Sequence, residues 1–198
     1  PNLFSQGISQ KAWDDLRLNP SKPLFNRVIG GFGYPTGSVI KPLVALQGLE
    51  KGIIDEQTSI YSPLEVCVWN RFAARNECFR DWTFHGQSDV KRAIAESVNT
   101  FFYIIGGGYE GRQGLGAANI KAILETFGWG AKTGIDLFGE GQGVLPTIND
   151  QWRLGDTYHF AIGQGPFTVT PLQVAGAFGA IANKGTLLQP QMVRQILD

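Results

Sequence analysis

The clearest candidate for chemistry in the sequence is the tetrapeptide Ser38-Val39-Ile40-Lys41. A serine hydroxyl needs a base before it can act as a nucleophile, and a lysine whose pKa is lowered by burial can be that base. The i, i+3 spacing places the hydroxyl and the amine on one face of a helix. Backbone N–H groups at the start of that helix would stabilise an oxyanion. The pattern therefore predicts nucleophilic serine catalysis.

The same spacing occurs again as Ser88-Asp89-Val90-Lys91. At average composition, Ser-x-x-Lys is expected about once by chance in a chain of this length. An N-cap followed by a solvated helix face explains the second copy, and for Ser38 the spacing alone fits an N-cap equally well. Further motifs must therefore distinguish the two serines.

Other reaction classes find less support in the sequence. The chain has two histidines, His85 and His159, but no Gly-x-Ser-x-Gly elbow surrounds any serine. The glycine-rich stretches at 30–33 and 163–165 do not extend into a dinucleotide fingerprint or a Walker loop. A nucleotide-dependent enzyme is not expected.

Composition narrows the class of protein further. The 198 residues include 17 basic and 17 acidic side chains and are 43% hydrophobic, which fits one domain with a real core. A balanced, charge-poor surface argues against nucleic acid as a partner. The chain starts at Pro1, and residues 187–197 resemble a strand in need of partners. These ends favour a fragment of a longer protein.

The elements that would position the candidate residues are mainly helical. Pro42 fits the first turn of a helix that begins at Ser38 or Val39, and Thr170-Pro171 with Gln173 is typical of a capped helix start. Two arms at 65–69 and 77–80 favour a hairpin inside the irregular stretch 62–88. The sequence predicts a mixed, helix-rich α/β domain with helices over 39–51, 90–105, 117–127 and 171–182.

Several motifs together resemble, in order and spacing, those of penicillin-binding protein transpeptidases, and most closely the class B, penicillin-binding protein 2 type that serves cell elongation. They are residues 34–42 (YPTGSVIKP), 97–103 (SVNTFFY), 163–165 (GQG) and 169–173 (VTPLQ), with further similarity at 2–4, 127–130 and 133–137. The resemblance implies a serine β-lactamase/DD-peptidase fold. Residues 1–198 would be a partial transpeptidase domain with an insertion at about 62–88 and without its C-terminal sheet strands.

The resemblance also implies roles for individual residues. Ser38 would attack the carbonyl between the two terminal D-alanines of a stem peptide, and Lys41 would take its proton. Ser97 would pass that proton to the leaving amine, and Asn99 would orient the donor amide and the lysine. The substrate-binding positions would be Thr100, Gly163, Gln164 and Gly165.

An acceptor amine would then convert the ester on Ser38 into a peptidoglycan crosslink, and a β-lactam would acylate the same serine. No cofactor or metal is required for this reaction. The alternatives are a DD-carboxypeptidase, a β-lactam-hydrolysing relative, and a catalytically silent scaffold of the same fold. By analogy, the parent protein would be anchored in a bacterial cell membrane with this domain on the periplasmic face. Its partners would be stem peptides, β-lactams, a lipid-linked glycan polymerase and the elongation machinery.

Two stretches remain ambiguous at this level. Helical periodicity places Ser97 and Asn99 inside one helix over 90–105, whereas the resemblance puts them on a connection between two helices. A literal Lys132-Thr133-Gly134 is present, but the family has its substrate-binding Lys-Thr-Gly strand further along, beyond residue 198. We therefore interpret Lys132 as unrelated to that motif.

The two cysteines, Cys67 and Cys78, leave three alternatives open. A disulfide would close the predicted hairpin in an oxidising environment. Some relatives bind a metal in this region, and Asp81 and His85 fall near the positions of such ligands, although Val98 stands where a cysteine would be expected. Free buried thiols are the third alternative.

Overall fold

The computed structural model describes residues 4–5 and 7–195 of the chain. A short 3-10 helix at Gly37–Ile40 leads directly into α2. The described part contains seven α-helices and four strands, which are α1 (Gln10–Arg17), α2 (Lys41–Glu50), β1 (Ile60–Ser62), β2 (Glu65–Asn70), β3 (Arg75–Arg80), β4 (Gly86–Ser88), α3 (Val90–Ala95), α4 (Asn99–Gly107), α5 (Gly116–Thr126), α6 (Leu154–Ala161) and α7 (Pro171–Ala182).

Helices α2 and α4 lie at the centre of the core, and both pack against α5. Leu43 of α2 and Phe101, Phe102 and Ile105 of α4 are fully buried. Helix α4 also packs closely on α6. A Cβ at Gly106 would lie only 2.6 Å from the Cβ of Ala161. Apolar burial against neighbouring helices thus holds both helices in the core.

The four strands form two nested antiparallel ladders. β1 pairs with β4, from Ile60 opposite Ser88 to Ser62 opposite Gly86. Between them, β2 pairs with β3 in a hairpin. The hairpin predicted within residues 62–88 is confirmed, with arms that match β2 and β3 closely.

The helix predicted from periodicity over 90–105 is divided in two. Helix α3 ends at Ala95 and α4 begins at Asn99, so the continuous helix was wrong. The connection implied by the resemblance is confirmed for Ser97, whereas Asn99 is the first residue of α4. Ser97 has a φ of 54°, a left-handed conformation that a continuous helix cannot contain. Asp89, rather than Ser88, caps α3 by accepting a hydrogen bond from the Arg92 amide.

The start of α7 was predicted correctly. Thr170 and Gln173 form a reciprocal capping box, and Pro171 occupies the first turn. These signals are local, and no distant residue is needed to interpret them.

The strand predicted over 187–197 is not present in residues 187–195, and the remainder of that run lies outside the described residues. Side-chain hydrogen bonds hold this segment instead. Gln189 donates to the Gly134 carbonyl, and the Asp136 carboxylate accepts from the amides of Met192 and Val193. An apolar run becomes a strand only where another strand is available to pair with it. Among the described residues, no helix has the length and hydropathy required to cross a bilayer.

Candidate active site

Lys41 is the first residue of α2, and its side chain is buried between α2 and α4 with a relative exposure of 1%. Its ammonium group has three acceptors. Nζ lies 2.7 Å from the Ser97 carbonyl oxygen, 3.0 Å from Ser97 Oγ and 2.6 Å from Asn99 Oδ1. Three of the four residues predicted to be catalytic are therefore in direct contact.

The environment of Lys41 favours its neutral form compared with a lysine in water. Burial lowers the pKa of Lys41 from 10.5 to about 8, while the negative charge of Asp81 acts in the opposite direction. A lysine with a pKa of about 8 is partly neutral near physiological pH. Its amine can therefore accept a proton from a hydroxyl.

Ser38 lies on the 3-10 turn immediately before α2, and it is exposed to solvent. Its carbonyl accepts a hydrogen bond from the Lys41 amide, which places the two residues one helical turn apart. Among the described residues, Lys41 Nζ has the three partners above, and Ser38 is not one of them. The amide of Ser38 lies in the first turn of the helical segment, where N–H groups lack intrahelical acceptors and remain available to an oxyanion.

Two backbone contacts fix the segment that leads to Ser38. Tyr34 and Val169 exchange hydrogen bonds through their amides and carbonyls, at 2.8 and 3.0 Å. One residue before Ser38, the Gly37 amide donates to the Gly163 carbonyl at 3.0 Å. The chain before α7 and the loop after α6 thus hold the serine in place.

Gly163 has a structural reason to be glycine. Its φ is 80°, and a Cβ at this position would lie 1.8 Å from the Gly37 carbonyl oxygen and 2.6 Å from Thr36 Oγ1. Gly163 therefore contacts the backbone that carries Ser38. Gln164 and Gly165 are exposed on the same loop, where the Gln164 amide is bonded to the His159 carbonyl.

An open groove passes over Ser38 and Lys41. Two apolar side chains of α7, Val174 and Phe178, form part of it, although the sequence analysis did not identify them as site residues. Their i, i+4 spacing within an apolar helix was the only available signal. The groove is lined by Ser38, Val39, Lys41, Pro42, Ile94, Ser97, Val174 and Phe178.

Thr100 does not face this groove, in contrast to the predicted substrate-binding role. It is fully buried, and its amide and hydroxyl both donate to Asp81 Oδ2, at 2.8 and 2.9 Å. Thr100 belongs to the motif at 97–103 that carries the resemblance. However, successive residues of a helix point in directions about 100° apart, so Asn99 reaches Lys41 while Thr100 points into the core.

The cysteines form a disulfide between the facing positions Cys67 and Cys78 of the hairpin. The disulfide alternative is therefore the one that the structure adopts, and the free-thiol and zinc-thiolate alternatives are not. The buried His85 places Nδ1 3.0 Å from Glu96 and Nε2 3.8 Å from Asp81.

Lys132-Thr133-Gly134 belongs to a different part of the molecule from the groove. The amide and hydroxyl of Thr133 and the amide of Gly134 all donate to the Glu140 carboxylate. Lys132 itself borders a cleft between α7 and residues 187–190. These contacts agree with the interpretation that the tripeptide is structural.

Comparison with known proteins places this geometry in a family. The protein-family model described as the penicillin binding protein transpeptidase domain matches residues 10–198 of this chain. The peptidoglycan D,D-transpeptidase MrdA of Acinetobacter baumannii is 38% identical over 203 residues, which cover 98% of this chain and 29% of that protein. The chain thus spans about 30% of the length of this curated relative.

Solved structures give the same result for the fold. The complex of penicillin-binding protein 2 with MreC from Helicobacter pylori matches with a TM-score of 0.78 and 39% identity, over 93% of this chain and 34% of that one. Pseudomonas aeruginosa PBP2 in complex with WCK 5153 matches with a TM-score of 0.82 and 33% identity, over 96% of this chain and 42% of that one. The predicted penicillin-binding transpeptidase fold is confirmed.

Proposed function

Because the chain belongs to the penicillin-binding protein transpeptidase family, we propose that it is the part of a longer peptidoglycan D,D-transpeptidase that carries the nucleophile. The longer protein would crosslink stem peptides through an ester on Ser38. The observation that carries this proposal is the buried Lys41, whose Nζ is held by Ser97 and Asn99 one helical turn from the serine.

In the first half of the reaction, Ser38 Oγ attacks the carbonyl carbon that joins the two terminal D-alanines. The neutral amine of Lys41 takes the hydroxyl proton as the new C–O bond forms. The C–N bond then breaks, and the Ser97 hydroxyl, in contact with Lys41 Nζ, passes a proton to the departing amine. Free D-alanine leaves, and the peptidyl group stays on Ser38.

In the second half, an amine of a neighbouring stem peptide attacks the ester carbonyl. The bond to Ser38 Oγ breaks, the serine regains its proton, and the new amide is the crosslink. A β-lactam would acylate Ser38 in the same way. Because its amine stays attached after the ring opens, there is no departing group to make room for the acceptor. No cofactor takes part in these steps.

The proposed cellular setting follows from the family. The longer protein would be anchored in a bacterial cell membrane with this domain on the periplasmic face. Its partners would include a lipid-linked glycan polymerase and other proteins of the elongation machinery. The PBP2–MreC complex of Helicobacter pylori supports such a partnership for a relative.

Intact-protein mass spectrometry after incubation with a penicillin tests the proposal on the longer protein. We expect the mass of one penicilloyl group, which disappears in Ser38→Ala. Ser88→Ala is the matched control, because Ser88 has the same spacing to a lysine and should leave labelling unchanged. A folded natural protein that gains no mass would contradict the proposal and favour the silent scaffold. Release of the adduct within minutes would favour the β-lactam-hydrolysing alternative.

A further inference from the structure

A buried carboxylate lies behind the catalytic residues, where the sequence suggested only a metal ligand. The Asp81 side chain has no exposed surface, and it accepts three hydrogen bonds from protein groups. Oδ2 accepts from the Thr100 amide and hydroxyl, and Oδ1 accepts from the Trp82 amide at 2.8 Å. Three donors at these distances fix the position and orientation of the carboxylate.

This carboxylate caps the helix that carries Asn99. The residue in the N-cap position of α4 is Val98, whose side chain cannot accept a hydrogen bond. Asp81, from a different segment of the chain, accepts from the Thr100 amide in the first turn instead. A negative charge at this end of α4 is also favoured by the helix dipole.

The start of α4, which Asp81 holds, is also where the hydrogen-bond acceptors of Lys41 lie. Asn99, which precedes Thr100, provides the shortest hydrogen bond to Lys41 Nζ. Ser97, two residues earlier, provides two more acceptors from a left-handed backbone conformation. Such a conformation is strained and persists only where neighbouring contacts enforce it.

The hairpin positions Asp81 in turn. Asp81 directly follows β3, and its amide donates to the Leu64 carbonyl at 2.8 Å, just before β2 begins. The disulfide between Cys67 and Cys78 joins the same two strands a few residues away. The position of Asp81 is therefore fixed by two links between the strands, the hydrogen bond to Leu64 and the disulfide.

We propose that Asp81 is a positioning residue for Lys41: its carboxylate fixes the start of α4, and through Asn99 and Ser97 it keeps the lysine amine at the groove. The inference rests on the proposed function, because it concerns the base of that reaction. Asp81 does not touch the substrate or the reacting atoms.

Asp81→Asn tests this role with the smallest change in shape. One carboxylate oxygen becomes an NH₂ group, so in either orientation a donor faces the Trp82 amide or the donors of Thr100. Asp136→Asn is the matched control. Asp136 also accepts two backbone amides, but it does so at the C-terminal segment, away from the groove. Thr100→Val provides a milder test, since it removes the hydroxyl donor and keeps the amide.

Two measurements on the longer protein decide the outcome. The first is the rate of Ser38 acylation by a fluorescent penicillin, followed against pH up to its plateau. For Asp81→Asn we expect the plateau rate of acylation to fall by about 10- to 100-fold. A catalytic group that moves by up to about 1 Å loses this much rate. We also expect the inflection to move to lower pH, because the charge of Asp81 raises the pKa of Lys41. Thr100→Val should show a smaller fall, and Asp136→Asn should show neither effect.

The second measurement is hydrogen–deuterium exchange of the peptide that contains the Thr100 amide, which should become faster in Asp81→Asn and not in Asp136→Asn. A folded Asp81→Asn protein with a plateau within about twofold of the natural rate and unchanged exchange would overturn the proposal. If the natural protein itself is not acylated, the proposed function fails. The exchange result then still shows whether Asp81 holds the start of α4.

Discussion

The two sides of the candidate site, one at Lys41 and one at Ser38, are built very differently. Lys41 is enclosed by two helices and has all three of its hydrogen-bond acceptors within the described chain. Ser38, one helical turn away, is exposed, and its contacts with the rest of the fold are made by the backbone around it. In the proposed reaction, the proton acceptor is thus prepared before substrate arrives, whereas the nucleophile stays open to it. A base needs a fixed environment to lower its pKa, and a nucleophile needs access.

Removing the enclosed amine of Lys41 should have the largest effect on the rate of Ser38 acylation. In Lys41→Met we expect acylation of Ser38 to fall by about 10²- to 10⁴-fold, the usual contribution of a general base. Lys91→Met is the matched control, since Lys91 belongs to the second Ser-x-x-Lys and pairs with Glu56 on the surface. Stopped-flow measurement with a fluorescent penicillin provides both rates. Equal rates for the two variants would show that Lys41 is not the base.

Disturbing the support of Ser38 should have an intermediate effect. Gly163→Ala places a Cβ against the Gly37 carbonyl, so we expect the segment before Ser38 to move and acylation to slow while Lys41 stays in place. Gly111→Ala separates this clash from backbone strain, because Gly111 has a similar positive φ of 81°, has open space around it and lies outside the groove. That strain alone costs about 1–2 kcal/mol. Acylation rates and melting temperatures of both variants test the prediction, which fails if Gly111→Ala is the slower enzyme.

Opening the hairpin should have the smallest effect on acylation. Cys67 and Cys78 are 11 residues apart in sequence, and a loop of this size predicts that Cys67→Ala/Cys78→Ala lowers the free energy of unfolding by roughly 2–3 kcal/mol. Urea denaturation measures this loss. A reducing agent should destabilise the natural protein and leave the double variant unchanged. Acylation should change less than in Asp81→Asn, because the bond from the Asp81 amide to Leu64 remains.

The features that could be predicted from the sequence are those encoded within a few residues. The start of α7 depends on Thr170, Pro171 and Gln173, which contact one another. The hairpin arms and the spacing of Ser38 and Lys41 are equally local. The resemblance to a known family added the break between α3 and α4 at Ser97, which periodicity alone had placed inside one helix.

The features that could not be predicted depend on contacts between distant segments. Asp81 and Thr100 are 19 residues apart, and nothing in either local stretch indicates that one caps the helix of the other. Val174 and Phe178 border the groove only because the fold places α7 along the same groove as the start of α2 and the end of α3. Residues 187–195 have the composition of a strand, but among the described residues no strand pairs with them.

The pH dependence of Ser38 acylation tests the central claim most directly, namely that burial prepares Lys41 as the base. With a pKa of about 8, Lys41 should give a rate that reaches a plateau above this pH and falls by about tenfold per pH unit below it. Lys132→Met should show the same profile, because Lys132 lies outside the groove. A rate that does not change across this range, or an inflection that disappears with Lys132 rather than with Lys41, would contradict the account.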